Sequence, residues 1–331
     1  MDNNNKKKNL ITGGAGFVGY HLAKRLLDLG EEVVLVDNFF RGKPDKYFLN
    51  LLKRPGVKFI KADLTDPKSI KKLGSSYDYV YHLAAINGTK YFYKIPHEVL
   101  RINILTLINI LDWFIRKNKK KNAKILFTSS NEAYAGALDL FGKLPVPTPE
   151  SVPLLVSDVY NPRWTYAGTK LIGEQFLIHY ANHYKFRMSI VRPHNFYGPR
   201  AGSDHVIPEL IKRINKKVDP FPIYGVSHTR SFCYIDDAVK AMIMVMESKK
   251  TDGRTYHIGT SEELKIRDLA KNLFKVAGWK PRRVKSDSAP FGSVQRRCPE
   301  IKQIKKDVGW EPKTKLAEGL KKTYEWYATK T

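Results

Sequence analysis

The sequence predicts an α/β protein built on a doubly wound parallel sheet, with a smaller α/β region toward the C-terminus. Short apolar runs alternate with helical patterns through the first 190 residues, a glycine-rich turn joins the first run to the first helix, and a carboxylate follows the second run. Such alternation is typical of βαβ units, in which active sites lie beyond the carboxyl ends of the strands.

Each predicted element has a signal of its own. The strands are short apolar runs, namely Asn9–Thr12, Glu32–Val36, Lys58–Ile60, Tyr79–Leu83, Lys124–Ser129 and Arg187–Arg192. The helices are the longer periodic stretches between them, notably Phe17–Leu29, Val99–Ile115 and Trp164–Tyr184. Further along, a helix and a strand are expected to return to the main domain, at Ser231–Glu247 and Tyr256–Ile258.

Prolines mark where the organisation changes. The stretch Ala135–Arg163 contains five prolines and is expected to form a loop beside the active site. After Arg192 prolines and glycines become frequent again, which indicates a second region. We therefore predict a main domain over residues 1–193 with a return segment at about 231–260, and a second region over residues 194–230 and 261–331.

Composition limits the class of protein. The 331 residues are 42% hydrophobic, which allows a substantial core, and no apolar run is long enough to span a membrane. The polar start, Met1–Lys8, leads into a strand rather than into a signal-peptide region. There are two cysteines, Cys233 and Cys298, so neither a disulfide framework nor a metal site is indicated, and a reducing, cytoplasmic setting is expected.

The net charge of +26 raises the question of nucleic acid as a partner. The lysines are spread over many positions, and the dense run Lys117–Lys124 falls where a helix ends, where cations are favourable. No basic motif interleaved with aromatic residues is present. We therefore interpret the charge as a solvated surface, with no nucleic acid and no membrane as partners.

The first strand leads into Thr12–Gly19, a turn with G-x-x-G-x-x-G spacing that opens a helix. Gly13 permits the tight turn, Gly16 lets the backbone approach a pyrophosphate, and Gly19 lets the helix pack closely on the strand. The pyrophosphate would meet unpaired N–H groups at the helix start. The pattern predicts a Rossmann-type dinucleotide site.

Asp37, at the end of the second strand, strengthens this prediction. A carboxylate there accepts hydrogen bonds from the adenosine ribose and repels a 2′-phosphate, so NAD is favoured over NADP. A simple turn-capping role for Asp37 is the alternative, and Arg41 lies close enough downstream to bear on the choice.

Tyr166 and Lys170 stand one helical turn apart, on the same face. A free phenol has a pKa of about 10 and is a poor base at neutral pH, but an ammonium group beside it favours the phenolate. Ser130, at the carboxyl end of the fifth strand, could hydrogen-bond the same substrate hydroxyl. Together these residues predict a base that takes a proton from an alcohol during its oxidation.

Taken together, these residues resemble the extended short-chain dehydrogenase/reductases of the NAD-dependent nucleotide-sugar epimerase/dehydratase family. The resemblance extends from Leu10 to about Trp326. The segments that carry it are Thr12–Gly19, Asp37–Asn38, Asp63–Leu64, His82–Ala85, Asn103, Thr128–Ser130, Tyr166 with Lys170, Arg192–Arg200 and Thr229–Phe232.

The resemblance implies NAD as cofactor, a nucleotide sugar as substrate, a role in carbohydrate biosynthesis, and a homodimer formed through the Val99–Ile115 and Trp164–Tyr184 helices. It assigns catalysis to Tyr166, Lys170, Ser130 and Glu132. It assigns the cofactor contacts to Gly13, Gly16, Phe17, Val18, Gly19, Asp37, Asn38, Asp63, Leu64, Leu83, Ala84, Ala85, Asn103, Lys170 and Pro193. It assigns the substrate contacts to Asn131, Arg163, His194, Asn195, Arg230, Arg296 and Arg297.

Members of this family share a first step, in which the tyrosine takes a proton from a sugar hydroxyl, usually at C4, while hydride passes to NAD. Glu132 resembles a glutamate of 4,6-dehydratases and UDP-glucuronate decarboxylases that simple 4-epimerases usually lack. Asn131 stands where one type of dehydratase carries its acid, and two segments, Pro162–Tyr166 and Gln295–Glu300, resemble decarboxylases. Epimerisation, dehydration and decarboxylation all remain compatible with the sequence.

Two other functions are compatible with parts of this pattern. One is a nucleotide-sugar dehydrogenase or 4-keto-sugar reductase with net cofactor turnover. The other is a catalytically inactive, dinucleotide-binding regulatory protein, against which the intact set of Ser130, Tyr166 and Lys170 argues.

Overall fold

The computed structural model describes residues 6–203, 205–289 and 294–329, so the predicted start at Met1–Lys8 and the predicted second region lie partly outside the described residues. The strands are β1 (Lys8–Thr12), β2 (Glu32–Asp37), β3 (Val57–Lys61), β4 (Tyr79–His82), β5 (Lys124–Thr128), β6 (Arg187–Pro193), β7 (Phe196–Tyr197), β8 (Phe221–Tyr224), β9 (Thr229–Arg230), β10 (Cys233–Tyr234), β11 (Arg254–Ile258), β12 (Leu264–Lys265), β13 (Val284–Asp287) and β14 (Arg296–Arg297).

The helices are α1 (Phe17–Asp28), α2 (Lys46–Leu52), α3 (Pro67–Ile70), α4 (Thr89–Lys94), α5 (Pro96–Lys117), α6 (Ala135–Phe141), α7 (Thr165–Tyr184), α8 (Val206–Asn215), α9 (Ile235–Glu247), α10 (Ile266–Ala277), α11 (Lys302–Val308) and α12 (Leu316–Ala328). Short 3₁₀ helices lie at Lys71–Leu73, Asn131–Tyr134, Pro162–Trp164 and Lys249–Thr251. Within the described ranges, no helix has both the length and the apolar character needed to cross a membrane.

Seven strands form the main sheet, in the order β11-β6-β5-β4-β1-β2-β3. The neighbouring pairs from β6 to β3 are parallel. The direction of strand succession reverses between β1 and β4, so the loops after these strands diverge at the carboxyl edge and leave a crevice for a ligand. The predicted α/β fold with a doubly wound, Rossmann-type parallel sheet is confirmed.

Two predicted segments differ from the structure. The stretch Ala135–Arg163 is not a continuous loop, because α6 occupies its start, before the first proline at Pro145. Gly136 permits this helix, since a Cβ there would overlap the carbonyl oxygen of Leu155. The helix predicted from Ser231 begins instead at Ile235, because β10 first pairs with β7.

The described chain divides into two compact units. The first contains the residues up to Gly136, Leu154–Arg192 and Val239–Tyr256. The second contains Ala137–Pro153, Pro193–Ala238 and the residues from His257 onward. The boundaries of the separate domains expected from the sequence stay a prediction.

In the first unit, α5 and α7 cover the sheet through a shared apolar cluster that includes Leu107, Phe127 and Leu177. Gly173 lets α7 approach β5 closely, because a Cβ there would lie 2.5 Å from Cζ of Phe127. This packing carries the first turns of α7 to the carboxyl end of β5.

The second unit is built from small sheets and helices. β7 pairs with β10, β8 with β13, and β9 lies between β12 and β14. Phe221, Phe274 and Trp279 pack together, with Phe274 edge-on to both other rings. The unit thus has an apolar cluster of its own.

A buried lysine ties the returning segment to the main sheet. Lys124, the first residue of β5, is fully buried. Its Nζ lies 2.8 Å from the carbonyl oxygen of Val245, 2.7 Å from Oγ1 of Thr251 and 2.9 Å from Oδ1 of Asp252. Burial lowers the pKa of Lys124 to about 8. The Val245 carbonyl lies in the last turn of α9, where carbonyl groups lack helical partners and a cation is favourable, so the Lys124 ammonium group supplies the missing donor.

We expect Lys124→Met to lower the free energy of unfolding by about 3 kcal/mol, because it leaves a buried carbonyl and a carboxylate without this donor. Urea denaturation measures the effect. Lys117→Met is the matched control, since Lys117 is exposed at the end of α5. Equal stability of the two variants would contradict the structural role of Lys124.

Candidate active site

The turn between β1 and α1 has the geometry of a phosphate-binding loop. Gly13 has a φ of +71°, in the left-handed region that favours glycine. A Cβ at Gly19 would overlap the carbonyl oxygen of Gly13, so α1 can approach the turn this closely only with glycine there. Gly16 is the N-cap, Phe17 and Val18 form the first turn, and no side chain among the described residues caps the helix. The first N–H groups of α1 therefore suit an anion.

A buried histidine fixes the loop after β4 against this turn. The hydroxyl of Thr12 donates to Nδ1 of His82 at 2.9 Å and accepts the N–H groups of Leu83 and Ala84 at 3.1 and 3.2 Å. Burial lowers the pKa of His82 to about 3, so its ring is neutral and Nδ1 can accept. The backbone of the predicted cofactor-lining segment is thus held in place from β1.

Asp37 ends β2 and is nearly buried. Its Oδ2 accepts the N–H of Ala15 at 3.0 Å, and its Oδ1 accepts the N–H of Phe39 at 2.7 Å. Burial raises the pKa of Asp37, while these backbone N–H groups act in the opposite direction. The backbone N–H of Asn38 also acts on this carboxylate, so three donors share its two oxygens, and the remaining lone pair can accept from a ribose hydroxyl. The capping role and the ribose-binding role are therefore compatible.

Other predicted cofactor residues have structural partners. Asn103 on α5 accepts the N–H of Ile86 at 2.7 Å and donates to the carbonyl of the same residue at 3.1 Å. Asn38 accepts the N–H of Phe40. Asp63 accepts bonds from the following Thr65, and the neighbouring Leu64 is buried. We interpret Asn103 as shaping the groove rather than reaching the cofactor.

These residues fit NAD. The glycine turn leaves space that a Cβ would fill, and Asp37 offers acceptors at the carboxyl end of β2. Arg41 donates to the carbonyl of Asn87 and lies 5.5 Å from the ring centroid of Tyr91, so it is engaged at the loop after β4. Bound NAD would supply a hydride acceptor and the positive charge of its nicotinamide ring.

The chain segment after β5 presents three predicted site residues in a 3₁₀ helix. Ser130 is the N-cap, and its Oγ accepts the N–H of Glu132 at 3.1 Å. The Ser130 hydroxyl also lies 3.4 Å from Oδ1 of Asn131. The amide Nδ2 of Asn131 is buried and has no partner among the described residues.

Tyr166 lies in the first turn of α7 with its side chain buried. The side chains of Ser130 and Asn87 lie close enough to its hydroxyl to lower the pKa of the phenol. Its ring stacks on Phe92 of α4, with 5.3 Å between centroids and 14° between planes. The structure therefore brings the predicted Tyr166 and Ser130 together and adds two groups that hold the phenol.

In the protein without bound NAD, burial opposes the predicted acidification of Tyr166. Burial raises the pKa of the phenol, and the carboxylate of Glu132 raises it further, whereas Ser130, Arg41 and Asn87 lower it. The reason is that a fully enclosed phenolate loses its hydration, and this penalty exceeds the favourable interactions. The expectation that Lys170 and the positive charge of bound nicotinamide together favour the phenolate stays a prediction.

Lys170 lies beneath the ring of Tyr166 rather than at its hydroxyl. Its Nζ is 5.5 Å from the ring centroid of Tyr166 and 4.7 Å from that of Phe127, and it donates to the carbonyl of Thr128 at 2.7 Å. Burial lowers the pKa of Lys170 to about 7, while Glu174 raises it.

Glu132 forms an ion pair with Arg163 across 31 residues of sequence. Nη2 of Arg163 lies 2.7 Å from Oε2 of Glu132, and both side chains are largely buried. The guanidinium group also lies 5.7 Å from the ring centroid of Phe92. Its Nη1 is buried without a partner among the described residues. Arg163 thus holds the glutamate as a carboxylate and keeps one donor for a further acceptor.

A buried triad holds α7 against β5 and β6. Oε1 of Glu174 accepts from Ser129 at 2.5 Å, and both carboxylate oxygens accept from Arg192 at 2.8 Å. Such two-point pairing fixes orientation as well as distance. The triad therefore sets the position from which Tyr166 and Lys170 extend.

Five of the predicted substrate residues belong to the second unit. His194 follows Pro193, the last residue of β6; its ring is fully buried and packs edge-on against His257 at 4.9 Å. Asn195 donates to the carbonyl of Ser231 at 2.9 Å. The burial of His194 favours a shaping role over proton donation.

The predicted arginines meet on one small sheet. Arg230 of β9 and Arg297 of β14 are paired in register in parallel strands, so their side chains share a face. Arg296, one residue away, points to the other face and pairs through both N–H groups with Glu263, at 2.9 and 2.6 Å. Nη1 of Arg230 donates to the carbonyl of Thr229 at 2.7 Å and to that of Gln295 at 3.3 Å.

Three residues beside Tyr166 were missed in the sequence: Asn87, Phe92 and Arg41 as a neighbour of the phenol. Asn87 follows the predicted cofactor segment by two residues, in the loop after β4. Polar residues just beyond the carboxyl end of a parallel strand are candidates for the site, so a local signal for Asn87 existed. For Phe92 and Arg41, the sequence carried no local signal that they lie beside Tyr166.

The fold and the site define a dinucleotide-binding enzyme with a serine, tyrosine and lysine at the carboxyl edge of its sheet. The chain belongs to the NAD dependent epimerase/dehydratase family, whose model matches residues 9–259. The predictions of the family, of an enzyme and of NAD as cofactor are confirmed.

Relatives match nearly the whole chain. It is 33% identical to UDP-N-acetyl-alpha-D-glucosaminuronate decarboxylase of Bacillus cytotoxicus, over 97% of this chain and 98% of that protein. It is 32% identical to UDP-glucuronic acid decarboxylase 3 of Arabidopsis thaliana, over 94% of this chain and 86% of that protein. Among solved structures, UDP-glucose 4-epimerase of Thermotoga maritima with UDP-glucose aligns with a TM-score of 0.84 and 28% identity, over 98% and 99% of the two chains.

We expect Tyr166→Phe to bind NAD as tightly as the unchanged protein but to lose about 10²- to 10⁴-fold in turnover, because the proton acceptor is removed. Steady-state kinetics and NAD titration measure the two effects. Tyr180→Phe is the control, since this tyrosine lies on the same helix with its hydroxyl near Asp112. Unchanged turnover of Tyr166→Phe would contradict its assignment.

Proposed function

We propose that the protein removes carbon dioxide from a nucleotide-linked uronic acid, with NAD recycled within the site. The observation that carries this proposal is a pair of buried donors beside the phenol. Nη1 of Arg163 and Nδ2 of Asn131 have no partner among the described residues. Leaving buried donors unpaired costs about 1–3 kcal/mol each, so a ligand with strong acceptors is favoured there. A sugar carboxylate supplies such acceptors.

The chemistry follows from the groups around Tyr166. Tyr166 in its ionised form would take the proton of the C4 hydroxyl as the C4 hydride leaves, which gives a ketone. The ketone makes the neighbouring carboxylate labile: the bond from C5 to the carboxyl carbon breaks, carbon dioxide leaves, and the electron pair forms an enolate. C5 then takes a proton from water. Hydride returns to the carbon C4, and a proton returns to the oxygen on C4. Atoms and charge balance with one proton consumed and no net oxidation.

The raised pKa of Tyr166 suits the middle steps of this reaction, in which the group carries a proton. Once it carries a proton, the phenol keeps it and can donate to the enolate oxygen that develops at C4. Ser130, whose side chain lowers the pKa of the same phenol, offers a second hydroxyl at this place. Stabilisation of an oxyanion by preorganised donors is a large catalytic contribution.

Dehydration is less compatible with these residues. Loss of the C6 oxygen needs an acid that protonates it, and Asn131 has no acidic proton. Glu132 is held as a carboxylate by Arg163 at 2.7 Å, which disfavours a proton-donating role. Decarboxylation needs no acid at the departing group.

Epimerisation is the second candidate, because the Thermotoga maritima structure of similar fold is an epimerase. The sequence relatives favour decarboxylation, since the two described above carry that activity in their names. A net dehydrogenase or reductase, and an inactive regulatory protein, have no such support from the relatives.

The nucleotide diphosphate is proposed to bind at Arg230 and Arg297. Two guanidinium groups on one sheet face suit phosphate oxygens, which accept paired N–H bonds.

The homodimer expected from the resemblance is part of the proposal; partly exposed Leu100 and Ile172, on α5 and α7, are compatible with a partner face. So is the cytoplasmic setting, supported by the free thiols of Cys233 and Cys298.

The proposal is tested by incubating the protein and NAD with UDP-, GDP-, dTDP- and CDP-linked sugars and their uronic acids. We expect mass spectrometry to show that one uronic acid loses carbon dioxide, and we expect no stoichiometric formation of NADH. Loss of water, or an isomer of unchanged mass, would contradict decarboxylation. Arg163→Gln should slow the reaction at least about tenfold, because it removes the charged donor. Arg101→Gln is the control, since that arginine pairs with Glu98 on the surface.

Arg297→Gln should raise KM for the nucleotide sugar about 10- to 100-fold, the effect of losing charged hydrogen bonds to phosphate. Arg296→Gln should change KM less than about threefold, because its guanidinium is committed to Glu263. Initial rates over a substrate series measure both. Equal effects of the two variants would argue against the shared face of Arg230 and Arg297 as the clamp.

A further inference from the structure

One arginine spans the carboxyl edge of the main sheet. Arg41 lies in the loop after β2, four residues beyond Asp37, and its Nη1 donates to the carbonyl of Asn87 in the loop after β4. In the sheet, β1 lies between β2 and β4 and is parallel to both. A side chain that joins the two outer loops therefore crosses above the carboxyl end of β1, where the glycine turn begins.

The near end of this crossing rests on the glycine turn itself. Gly42, the residue after Arg41, is buried, and a Cβ there would lie 2.7 Å from Cβ of Ala15 and 3.0 Å from Oδ2 of Asp37. The same Oδ2 accepts the N–H of Ala15 at 3.0 Å. A side chain at residue 42 would push the loop away from the turn, so glycine lets Arg41 extend from a backbone packed against it.

The far end of the crossing has further contacts at α4. The Arg41 guanidinium group lies 5.5 Å from the ring centroid of Tyr91, within the range of a cation–π contact. A Cβ on Gly88 would lie 3.6 Å from Nη1 and 3.8 Å from Nη2 of Arg41, so both nitrogens lie close to this backbone. The ring of Phe40 lies 5.9 Å from that of Tyr91, centroid to centroid. We call the Arg41 side chain, with its contacts to Asn87 and Tyr91, the Arg41 link.

The position and the charge of the Arg41 link suit a dinucleotide. The loops after β1 and β4 diverge at the switch point of the sheet, which is where dinucleotides bind in doubly wound folds. The turn that Arg41 crosses leads into α1, whose first N–H groups suit a pyrophosphate. A guanidinium group adds a permanent positive charge and several donors above this place.

We propose that the Arg41 link closes the crevice over bound NAD, so that it must open each time the cofactor enters or leaves. This inference rests on the proposed binding of NAD at the glycine turn. An enzyme that recycles NAD within the site benefits from slow release, because the cofactor is reoxidised in place. The link gives Arg41 a role other than contact with a 2′-phosphate.

A closing link and a simple attracting charge have different effects on the two rate constants. Opening the link breaks the hydrogen bond to Asn87 and the contact with Tyr91, so release passes through a less populated open state. Removing the link should therefore speed dissociation without slowing association. Removing a charge that only attracts NAD would slow association and leave dissociation nearly unchanged.

The test is stopped-flow fluorescence of NADH binding, and of NADH displacement by excess NAD, without any sugar substrate. We expect Arg41→Gln to raise the dissociation rate constant at least about tenfold, the effect of losing a charged hydrogen bond, with association no slower. Arg41→Lys keeps the charge but not the planar group on Tyr91, so its dissociation should be intermediate. Lys43→Gln is the matched control, because it removes an exposed cation from the same loop; both its rate constants should change less than about twofold.

A second variant tests the far end of the link. Tyr91→Leu should also speed dissociation, and it should add little to Arg41→Gln, because both act on one link. Tyr93→Leu is its control, since Tyr93 is exposed on the same helix. An unchanged dissociation rate constant in Arg41→Gln would overturn the proposal, as would slower association alone or an effect seen only with NADPH. The measurement uses no sugar, so it tests the link whether or not the protein is a decarboxylase.

Discussion

Enclosure of the Tyr166 phenol is the constraint on which the site depends. Burial alone disfavours its ionisation, so each polar neighbour acts directly on the proton that must move. The side chains of Ser130 and Asn87 lower the pKa of the phenol, Phe92 stacks on its ring, and Nζ of Lys170 lies 5.5 Å from the ring centroid. A protonated phenol in this setting is placed to give a proton to an oxyanion, and it must ionise before it can accept one from an alcohol.

The scaffold places these neighbours through short-range fits that are distant in sequence. Gly173 brings α7 onto β5, and Glu174 joins Ser129 to Arg192 across three elements of the first unit. Both contacts lie within two turns of Tyr166 on the same helix. A change in either would move the phenol relative to Ser130, even though neither side chain touches it.

How much of this could be predicted depended on whether the signal was local. The glycine turn and Asp37 have spacings set by a single βαβ unit, and the Tyr166 and Lys170 pair by one helical turn, so all were found. Glu132 and Arg163 were each singled out, but their pairing joins residues 31 apart and needs the folded chain. The raised pKa of Tyr166 was missed because it is a property of burial, which no spacing reports. Helix α6 was missed because the prolines after it dominated the pattern.

The central claim is that Tyr166 drives loss of a carboxyl group from C5 of a 4-keto sugar. Turnover of a nucleotide-linked uronic acid in heavy water, followed by proton NMR of the product, tests it most directly. We expect one deuterium at C5, where the enolate is protonated, and none on carbon at C4, where the original hydride returns. A product without deuterium at C5 would contradict it.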